Sequence, residues 1–253
     1  MLKTRVIPTL LHKNFGMVKG AGFDSRRRVG GALQFIKVFS LRGVDELVFL
    51  DIAATLEKRP PDFEIVDDLA DECFMPFTAG GGVRSAEDVQ QMLQVGADKV
   101  AFNTAAFWDT DIVLHSAHRF GSQCIVVSVD YRLDEDGTRK VFTHSGTMPT
   151  GMDLLEYISR VEDAGAGEIL LTCIERDGTM RGYDVEGIRL VSDRVRIPVI
   201  ASGGAGNSQH MIEAVNRGGA SAVAAASIFH FTEITPRDIK EELTKAGIPV
   251  RLS

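Results

Sequence analysis

The chain has 253 residues, 44% of them hydrophobic and 25% charged, which is typical of a globular protein with one large core. Its net charge of −7 argues against a surface for nucleic acid or an anionic membrane, so an anionic ligand would need local donors. The 3 cysteines are too few and too scattered for a disulfide framework or a metal site, and we expect neither a metal nor a cofactor. Without a signal peptide or a membrane-spanning apolar run, the expected location is cytoplasmic.

Short apolar runs alternate with amphipathic segments along the whole chain. Strands are predicted near residues 4–10, 46–51, 75–79, 98–103, 124–130, 167–173, 197–201 and 220–226. Helices are predicted near residues 30–42, 62–72, 85–95, 110–119, 152–164, 184–193, 207–217 and 235–246. The strands are nearly uniform apolar runs, which is typical of strands buried on both faces.

This alternation predicts a parallel sheet, and eight repeats in about 250 residues predict a closed α/β fold, the (β/α)8 TIM barrel. An open doubly wound sheet is the alternative, but it needs an edge strand on each side and no polar edge strand is evident. No linker interrupts the pattern, so we expect a single domain spanning residues 1–253.

An internal repeat relates the two halves of the chain. Residues 75–85, MPFTAGGGVRS, are echoed about 120 residues later by residues 197–207, IPVIASGGAGN. Residues 96–105, GADKVAFNTA, are echoed in the same way by residues 219–228, GASAVAAASI. A period of half the chain predicts a barrel built from two similar halves of four units each.

Two equivalent clusters of phosphate-binding residues are predicted at strand ends. They are Gly81, Gly82, Asn103 and Thr104 in the first half, and Gly203, Gly204 and Ser227 in the second. Glycine lets backbone N–H groups approach an anion closely, and hydroxyl groups add donors. The alternative is that the glycines only form tight turns between strand and helix. Because both halves carry the pattern, we predict a bis-phosphorylated small molecule at the C-terminal mouth of the barrel.

Longer motifs together carry a family resemblance. They are VDELVFLDI at 44–52, GGGVR at 80–84, FGSQCIVV at 120–127, GAGEILLT at 165–172, IERDGT at 174–179 and SGGAGN at 202–207. From residue 5 to residue 251 the chain resembles the cyclase subunit of imidazole glycerol phosphate synthase. The resemblance implies a lyase of histidine biosynthesis that forms a heterodimer with a glutaminase, receives ammonia through the barrel and acts on a bis-phosphorylated intermediate.

The resemblance assigns acid–base catalysis to two aspartates, at the ends of strands 1 and 5. Asp130 stands at the second of these positions, whereas Leu11 stands where the family carries the first aspartate. Because leucine cannot transfer a proton, half of the acid–base pair is missing. His12 is a candidate substitute, but it is one residue out of phase, so its side chain is expected to leave the barrel interior.

The resemblance also identifies residues in the loops around the substrate. Lys19 matches a family lysine that could reach a substrate phosphate, although a solvated loop lysine is the alternative. Thr172 and Asp177 match family residues at the end of strand 6. Departures from the family pattern are Gly22, Gly31, Ala32 and Glu175.

Four charged residues stand at or near the N-terminal starts of strands 1, 2, 4 and 6. They are Arg5, Glu46, Lys99 and Glu168, two positive and two negative charges that can form a closed ring of ion pairs. The alternative role is stability alone. All four match the gate through which ammonia passes in the cyclase family, and Asp98 matches a position that faces the glutaminase.

Because it keeps the four gate residues but lacks the aspartate at position 11, the chain resembles a paralogous group of cyclase-like proteins. With their own glutaminase, these serve the amidation of nucleotide-linked or surface-polysaccharide sugars. Leu10–Leu11 and residues 72–76 match that group, whereas residues 246–251 match the histidine enzyme. We expect the paralogue, which would pass ammonia to a sugar amidotransferase. The alternatives are a working cyclase of histidine biosynthesis, a non-catalytic assembly partner of a glutaminase, and the related isomerase barrel of the histidine pathway.

Overall fold

The computed structural model describes residues 3–14 and 16–252, and among these no helix is long and apolar enough to cross a membrane. The strands are β1 (Arg5–Lys13), β2 (Gly16–Ala21), β3 (Asp24–Gly30), β4 (Leu47–Asp51), β5 (Phe77–Gly80), β6 (Lys99–Phe102), β7 (Ile125–Leu133), β8 (Arg139–Thr143), β9 (Met148–Asp153), β10 (Glu168–Cys173), β11 (Val199–Ser202) and β12 (Ala222–Ala225). The helices are α1 (Ala32–Leu41), α2 (Phe63–Ala70), α3 (Ala86–Gln94), α4 (Thr104–Trp108), α5 (Asp111–Phe120), α6 (Leu154–Asp163), α7 (Val185–Arg194), α8 (Ser208–Asn216), α9 (Ser227–Phe231) and α10 (Pro236–Lys245), and a 3₁₀ turn spans Ser122–Cys124.

Eight parallel strands close into a barrel. Their order is β1, β4, β5, β6, β7, β10, β11 and β12. β12 pairs with β1, and β7 pairs with β10 over six residues, so each of these eight strands has two neighbours. The structure confirms the α/β TIM-barrel fold, and the open doubly wound alternative is wrong.

The interior of the barrel is filled by every second side chain of its strands. Ile7, Val48, Leu170 and Ile200 belong to one small buried cluster, whose remaining members are small or β-branched: Ala101, Val126, Ala222 and Ala224. Residues one position along the same strands, such as Val6, belong to a second and larger cluster with the helices. This alternation follows from the two-residue period of a strand and determines which side chains can reach the mouth or the floor of the barrel.

The predicted helices are confirmed, and their starts show why they begin where they do. Ser85 caps α3, accepting a hydrogen bond from the backbone N–H of Asp88, whose carboxylate accepts one from the N–H of Ser85 in return. Thr235 and Asp238 form the same reciprocal pair at α10. Each pair satisfies backbone donors that the first helical turn leaves without partners.

The strict alternation of strand and helix is wrong at two places. After β1, the strands β2 and β3 form an antiparallel hairpin, and after β7 the strands β8 and β9 form another. The short helices α4 and α9 are also additional to the eight predicted helices. Both hairpins extend barrel strands beyond the C-terminal mouth, and their strands mix polar and apolar residues without a long apolar run by which to recognise them.

Closure of the barrel at β7 and β10 depends on a close backbone approach at Gly167. Its N–H donates to the carbonyl of Ile125 at 2.9 Å, and a Cβ atom there would lie 1.9 Å from the carbonyl oxygen of Ser122. At Gly31 (φ −89°), in contrast, a Cβ atom would meet nothing within 4 Å. The same substitution therefore has opposite steric consequences at the two positions.

We expect Gly167→Ala to lower the free energy of unfolding by about 2 kcal/mol, because the methyl group can be accommodated only if backbone moves. Gly31→Ala should change it by less than about 1 kcal/mol. Urea denaturation followed by circular dichroism measures both. Equal effects for the two variants would show that the approach at Gly167 does not constrain closure.

Candidate functional site

The C-terminal ends of the barrel strands surround a cavity. Its walls include alternate residues of two opposite strands, Thr9 and Leu11 on β1 and Ser128 and Asp130 on β7. Other lining residues are Asp51, Gly81, Gly82, Asn103, Thr104, Thr172, Asp177, Ser202, Gly203, Gly204 and Ser227. The structure thus gathers into one cavity the residues predicted at the mouth, apart from Lys19.

Asp130 is a buried carboxylate held by a neighbouring strand end. Asn103 donates from Nδ2 to Asp130 Oδ2 at 2.9 Å and to the carbonyl of Ser128 at 3.0 Å. Asp130 is only 7% exposed, and it pairs in register with Thr172 of β10. A hydrogen-bonded carboxylate that lines a cavity is suited to transfer a proton to or from a ligand.

Leu11 contributes the wall of the cavity on the opposite side of the barrel, four strands away from β7. His12, the next residue, lies on the outer side of β1, with its ring centroid 5.6 Å from that of Phe49. Phe49 belongs to the core shared with the helices. The side chain of His12 therefore faces away from the cavity, and burial lowers the pKa of this histidine against a smaller opposing effect of Asp51.

In the first glycine cluster, close packing of the backbone requires glycine whether or not a ligand binds there. Gly81 (φ +112°) and Gly82 (φ +76°) both have a positive φ angle, which L-residues with a side chain rarely adopt. A Cβ atom on Gly81 would lie 2.2 Å from the carbonyl oxygen of Asp51. Thr104 donates from Oγ1 to Asn103 Oδ1 at 3.2 Å and accepts from the N–H of His144 at 2.9 Å. The loop between β8 and β9 therefore lies against this cluster. Phosphate binding by the cluster stays a prediction.

The second glycine cluster lies on the other side of the barrel, four strands from the first. Gly203 (φ +85°) and Gly204 (φ +111°) follow β11, and Ser227 begins α9 after β12. A Cβ atom on Gly204 would lie 2.3 Å from the carbonyl oxygen of Gly182. Ser227 is 7% exposed and lines the cavity. The opposite positions of the two clusters suit a ligand with an anionic group at each end.

The β2–β3 hairpin folds over the mouth of the cavity. Gly22 donates its N–H to the carbonyl of Asp177 at 2.8 Å, and Phe23 reaches the cavity wall. A Cβ atom on Gly146 would lie 2.7 Å from the ring of Phe23, so the two hairpins touch. Lys19 is buried beneath this cover and donates from Nζ to the carbonyl of Thr9 at 3.1 Å. It is thus not the solvated loop lysine of the alternative interpretation.

Asp51 lines the cavity and is bound by Arg59, and neither residue was singled out from the sequence. Asp51 accepts hydrogen bonds at Oδ1 from the N–H groups of Ala53 and Ala54. Arg59 places Nη1 2.7 Å from Asp51 Oδ2, and this contact raises the pKa of the arginine. Asp51 comes directly after the apolar run of residues 47–50, just as Asp130 follows the run of residues 124–129. An acidic residue at the end of an apolar run was the signal used for Asp130, and it would also have identified Asp51.

The N-terminal floor of the barrel is closed by a ring of four ion pairs. Arg5 contacts Glu46 and, at 2.9 Å, Glu168, while Lys99 contacts Glu46 at 3.0 Å and Glu168 at 2.9 Å. Thr78 also donates to Glu46 at 2.8 Å. The side chain of Glu46 is 2% exposed, and that of Arg5, the most exposed of the four, is 23% exposed. We call these four residues the ion-pair ring.

Asp98 lies on the same floor, beside the ion-pair ring. Its Oδ2 accepts from the N–H of Phe77 at 2.8 Å, and its own N–H donates to the carbonyl of Phe77 at 2.8 Å. The residue is exposed. It therefore has a structural role at the start of β6 and remains accessible for the predicted contact with a glutaminase.

Comparison with protein-family models places the chain in a family. Residues 5–235 match the family described as histidine biosynthesis protein, and the chain belongs to this family. The match spans all eight barrel strands, including the ion-pair ring and both glycine clusters. Within residues 3–14 and 16–252, no group of three or more His, Cys, Asp or Glu side chains could hold a metal ion.

The ion-pair ring yields a prediction about stability. We expect Glu46→Gln to lower the free energy of unfolding by about 3 kcal/mol, because Arg5 and Lys99 would lose the buried carboxylate that joins them. Glu186→Gln is the matched control, since that glutamate is 79% exposed while its contact with Arg139 is 3.3 Å, and the expected change is below about 0.5 kcal/mol. Urea denaturation of both variants is the measurement. A loss no larger than that of the control would show that the ring contributes nothing to stability.

Proposed function

We propose that this member of the histidine biosynthesis protein family is a cyclase-like subunit that receives ammonia from a partner glutaminase through the barrel. In this proposal the two proteins form a heterodimer, and a separate amidotransferase uses the ammonia to amidate a nucleotide-linked or surface-polysaccharide sugar. The observation that carries the proposal is the position of Leu11, which lines the cavity opposite Asp130 where a second carboxylate would complete an acid–base pair.

The lost acid argues against efficient ring closure. Removing one positioned acid or base typically costs a factor of about 10²–10⁴ in rate. His12 offers no replacement, because its ring lies against Phe49 on the outer side of β1 and does not line the cavity. Asp51 does line the cavity, but Arg59 and two backbone N–H groups already bind its carboxylate. Asp130 alone therefore supplies one half of the required proton transfers.

The floor of the barrel supports a conduit for ammonia. Above the ion-pair ring, the interior is apolar and includes Ile7, Val48 and Leu170. Transfer of an ammonium ion into such a layer costs far more free energy than transfer of uncharged ammonia. Lys99 bridges both glutamates of the ring through one ammonium group on a flexible stem, so movement of this one side chain would open one side of the ring.

A working cyclase of histidine biosynthesis is the second candidate. It is favoured by Asp130 and by the two glycine clusters, which still face each other across one cavity. A non-catalytic assembly partner of the glutaminase is the third candidate. The isomerase barrel of the histidine pathway ranks last, since it has no use for an ion-pair ring that admits ammonia. The first two candidates differ in whether one carboxylate is sufficient for cyclisation.

Restoring the missing carboxylate tests the cyclase question. We expect the purified chain, given an ammonium salt and the bis-phosphorylated histidine intermediate, to turn over slowly, and Leu11→Asp to raise the rate at least tenfold, a conservative part of the effect expected for an acid or base. Leu11→Asn is the matched control, because it has a similar shape and no proton to transfer. Loss of substrate absorbance is the measurement. Rapid turnover by the unchanged chain would refute the paralogue proposal.

Disturbing the ion-pair ring tests the conduit. We expect Lys99→Ala to change the amount of amidated product formed per glutamate released when glutamine is the nitrogen source. Amidation from added ammonium salt should stay unchanged, because free ammonia can reach the amidotransferase without passing through the barrel. Lys37→Ala is the control, since the side chain of Lys37 is 53% exposed and its ion pair joins α1 to Glu72 in the turn after α2. An unchanged ratio for Lys99→Ala would exclude the conduit and favour the assembly-partner alternative.

A further inference from the structure

A second cavity lies beside the first on the same face of the barrel. It is a groove of about 390 Å³, which falls within the roughly 300–1,000 Å³ usual for small-molecule sites. Thr55, Val83, Thr104 and Ala105 line both cavities, so these residues form the wall between them. The groove is bounded by the loops after β4, β5 and β6 and by the β8–β9 hairpin, all at the end of the barrel where TIM-barrel enzymes bind their ligands.

Two cations face this groove without a carboxylate partner. Lys58 and Arg84 both line it, and neither forms an ion pair with any residue in 3–14 or 16–252. Glu57, next to Lys58, is bound to Arg59 at 2.7 Å, and Asp88 accepts from the backbone N–H of Arg84 rather than from its guanidinium group. The chain as a whole has a net charge of −7, so its overall charge does not attract anions. The two unpaired cations make this groove locally positive, which suits a phosphate group.

An exposed aromatic ring forms another wall of the same groove. Trp108 ends the short helix α4 and is 62% exposed. Its ring meets Phe107 edge-on, at 5.1 Å and 84°, which leaves much of its surface uncovered. Buried Val83 and Ile112 give the groove an apolar floor beside it. An uncovered indole over apolar side chains is suited to stack against a planar ring.

We propose that this groove, here called the Trp108 groove, binds a nucleoside monophosphate. Its base stacks on Trp108, and its phosphate is held by Lys58 and Arg84. Asp109 also lines the groove and offers a carboxylate to the ribose hydroxyls. With one acid against two cations, the groove keeps a net positive charge for the phosphate. The site is independent of ammonia transfer, because it lies outside the barrel interior and uses neither Asp130 nor the ion-pair ring.

Trp108 is the single tryptophan of the chain, so its fluorescence reports on the groove directly. We expect uridine monophosphate to quench it in a saturable manner. Lys58→Gln and Arg84→Gln should each weaken binding about tenfold, as the loss of a charge-assisted hydrogen bond does. Arg217→Gln is the matched control, an exposed cation at the end of α8 in the other half of the barrel, and it should leave affinity unchanged.

Uridine and inorganic phosphate, titrated separately, distinguish the two halves of the site. Each should bind at least tenfold more weakly than the nucleotide, since each makes only part of the contacts. Absence of saturable quenching at millimolar nucleotide would overturn the proposal. So would equal affinities for Arg84→Gln and Arg217→Gln, or phosphate alone binding as tightly as the nucleotide. None of these outcomes depends on cyclase activity or on a glutaminase, so they test the groove separately from the proposed function.

Discussion

The two-residue period of the barrel strands is the constraint on which the rest of the structure depends. Once β7 pairs with β10 and closes the sheet, every strand residue points either into the barrel or towards the helices. β1 shows the consequence along its length. Arg5 contributes to the floor, Ile7 to the apolar interior and Leu11 to the mouth, all on one side of a single strand. The chemistry at the two ends of the barrel is therefore set by register as much as by residue type.

The same constraint explains why the titratable side chain next to Leu11 cannot act in the cavity. His12 is adjacent to Leu11 in sequence, yet it lies against Phe49 on the outer side of β1. Moving its ring into the cavity would require a slip of one residue, which would also bury Arg5 and Leu11 among the helices. A carboxylate that acts opposite Asp130 could thus come only from another inward residue or from a ligand.

Much of this architecture could be predicted from sequence, because uniform apolar runs, glycine clusters and charged strand starts are local signals. The eight barrel strands, the inward direction of Asp130 and the meeting of Glu46 with Lys99 follow from them. The two hairpins could not be predicted, since their strands mix polar residues with only a few buried apolar ones, such as Met17 and Val141, and form no long apolar run. The position of Phe23 depends on contacts with Gly146, more than a hundred residues away, and the groove beside Trp108 exists only because three loops and a hairpin converge.

The two ends of the barrel are held by different interactions, the ion-pair ring at the floor and the β2–β3 hairpin at the mouth. The floor is held by charges, whose attraction weakens as dissolved salt screens their exposed parts. The roof is held by a backbone hydrogen bond from Gly22 to Asp177 and by packing of Phe23, neither of which salt screens strongly. Raised ionic strength is therefore expected to weaken the contacts at the floor more than those at the mouth, so the two ends of the barrel differ in how the surrounding solution affects them.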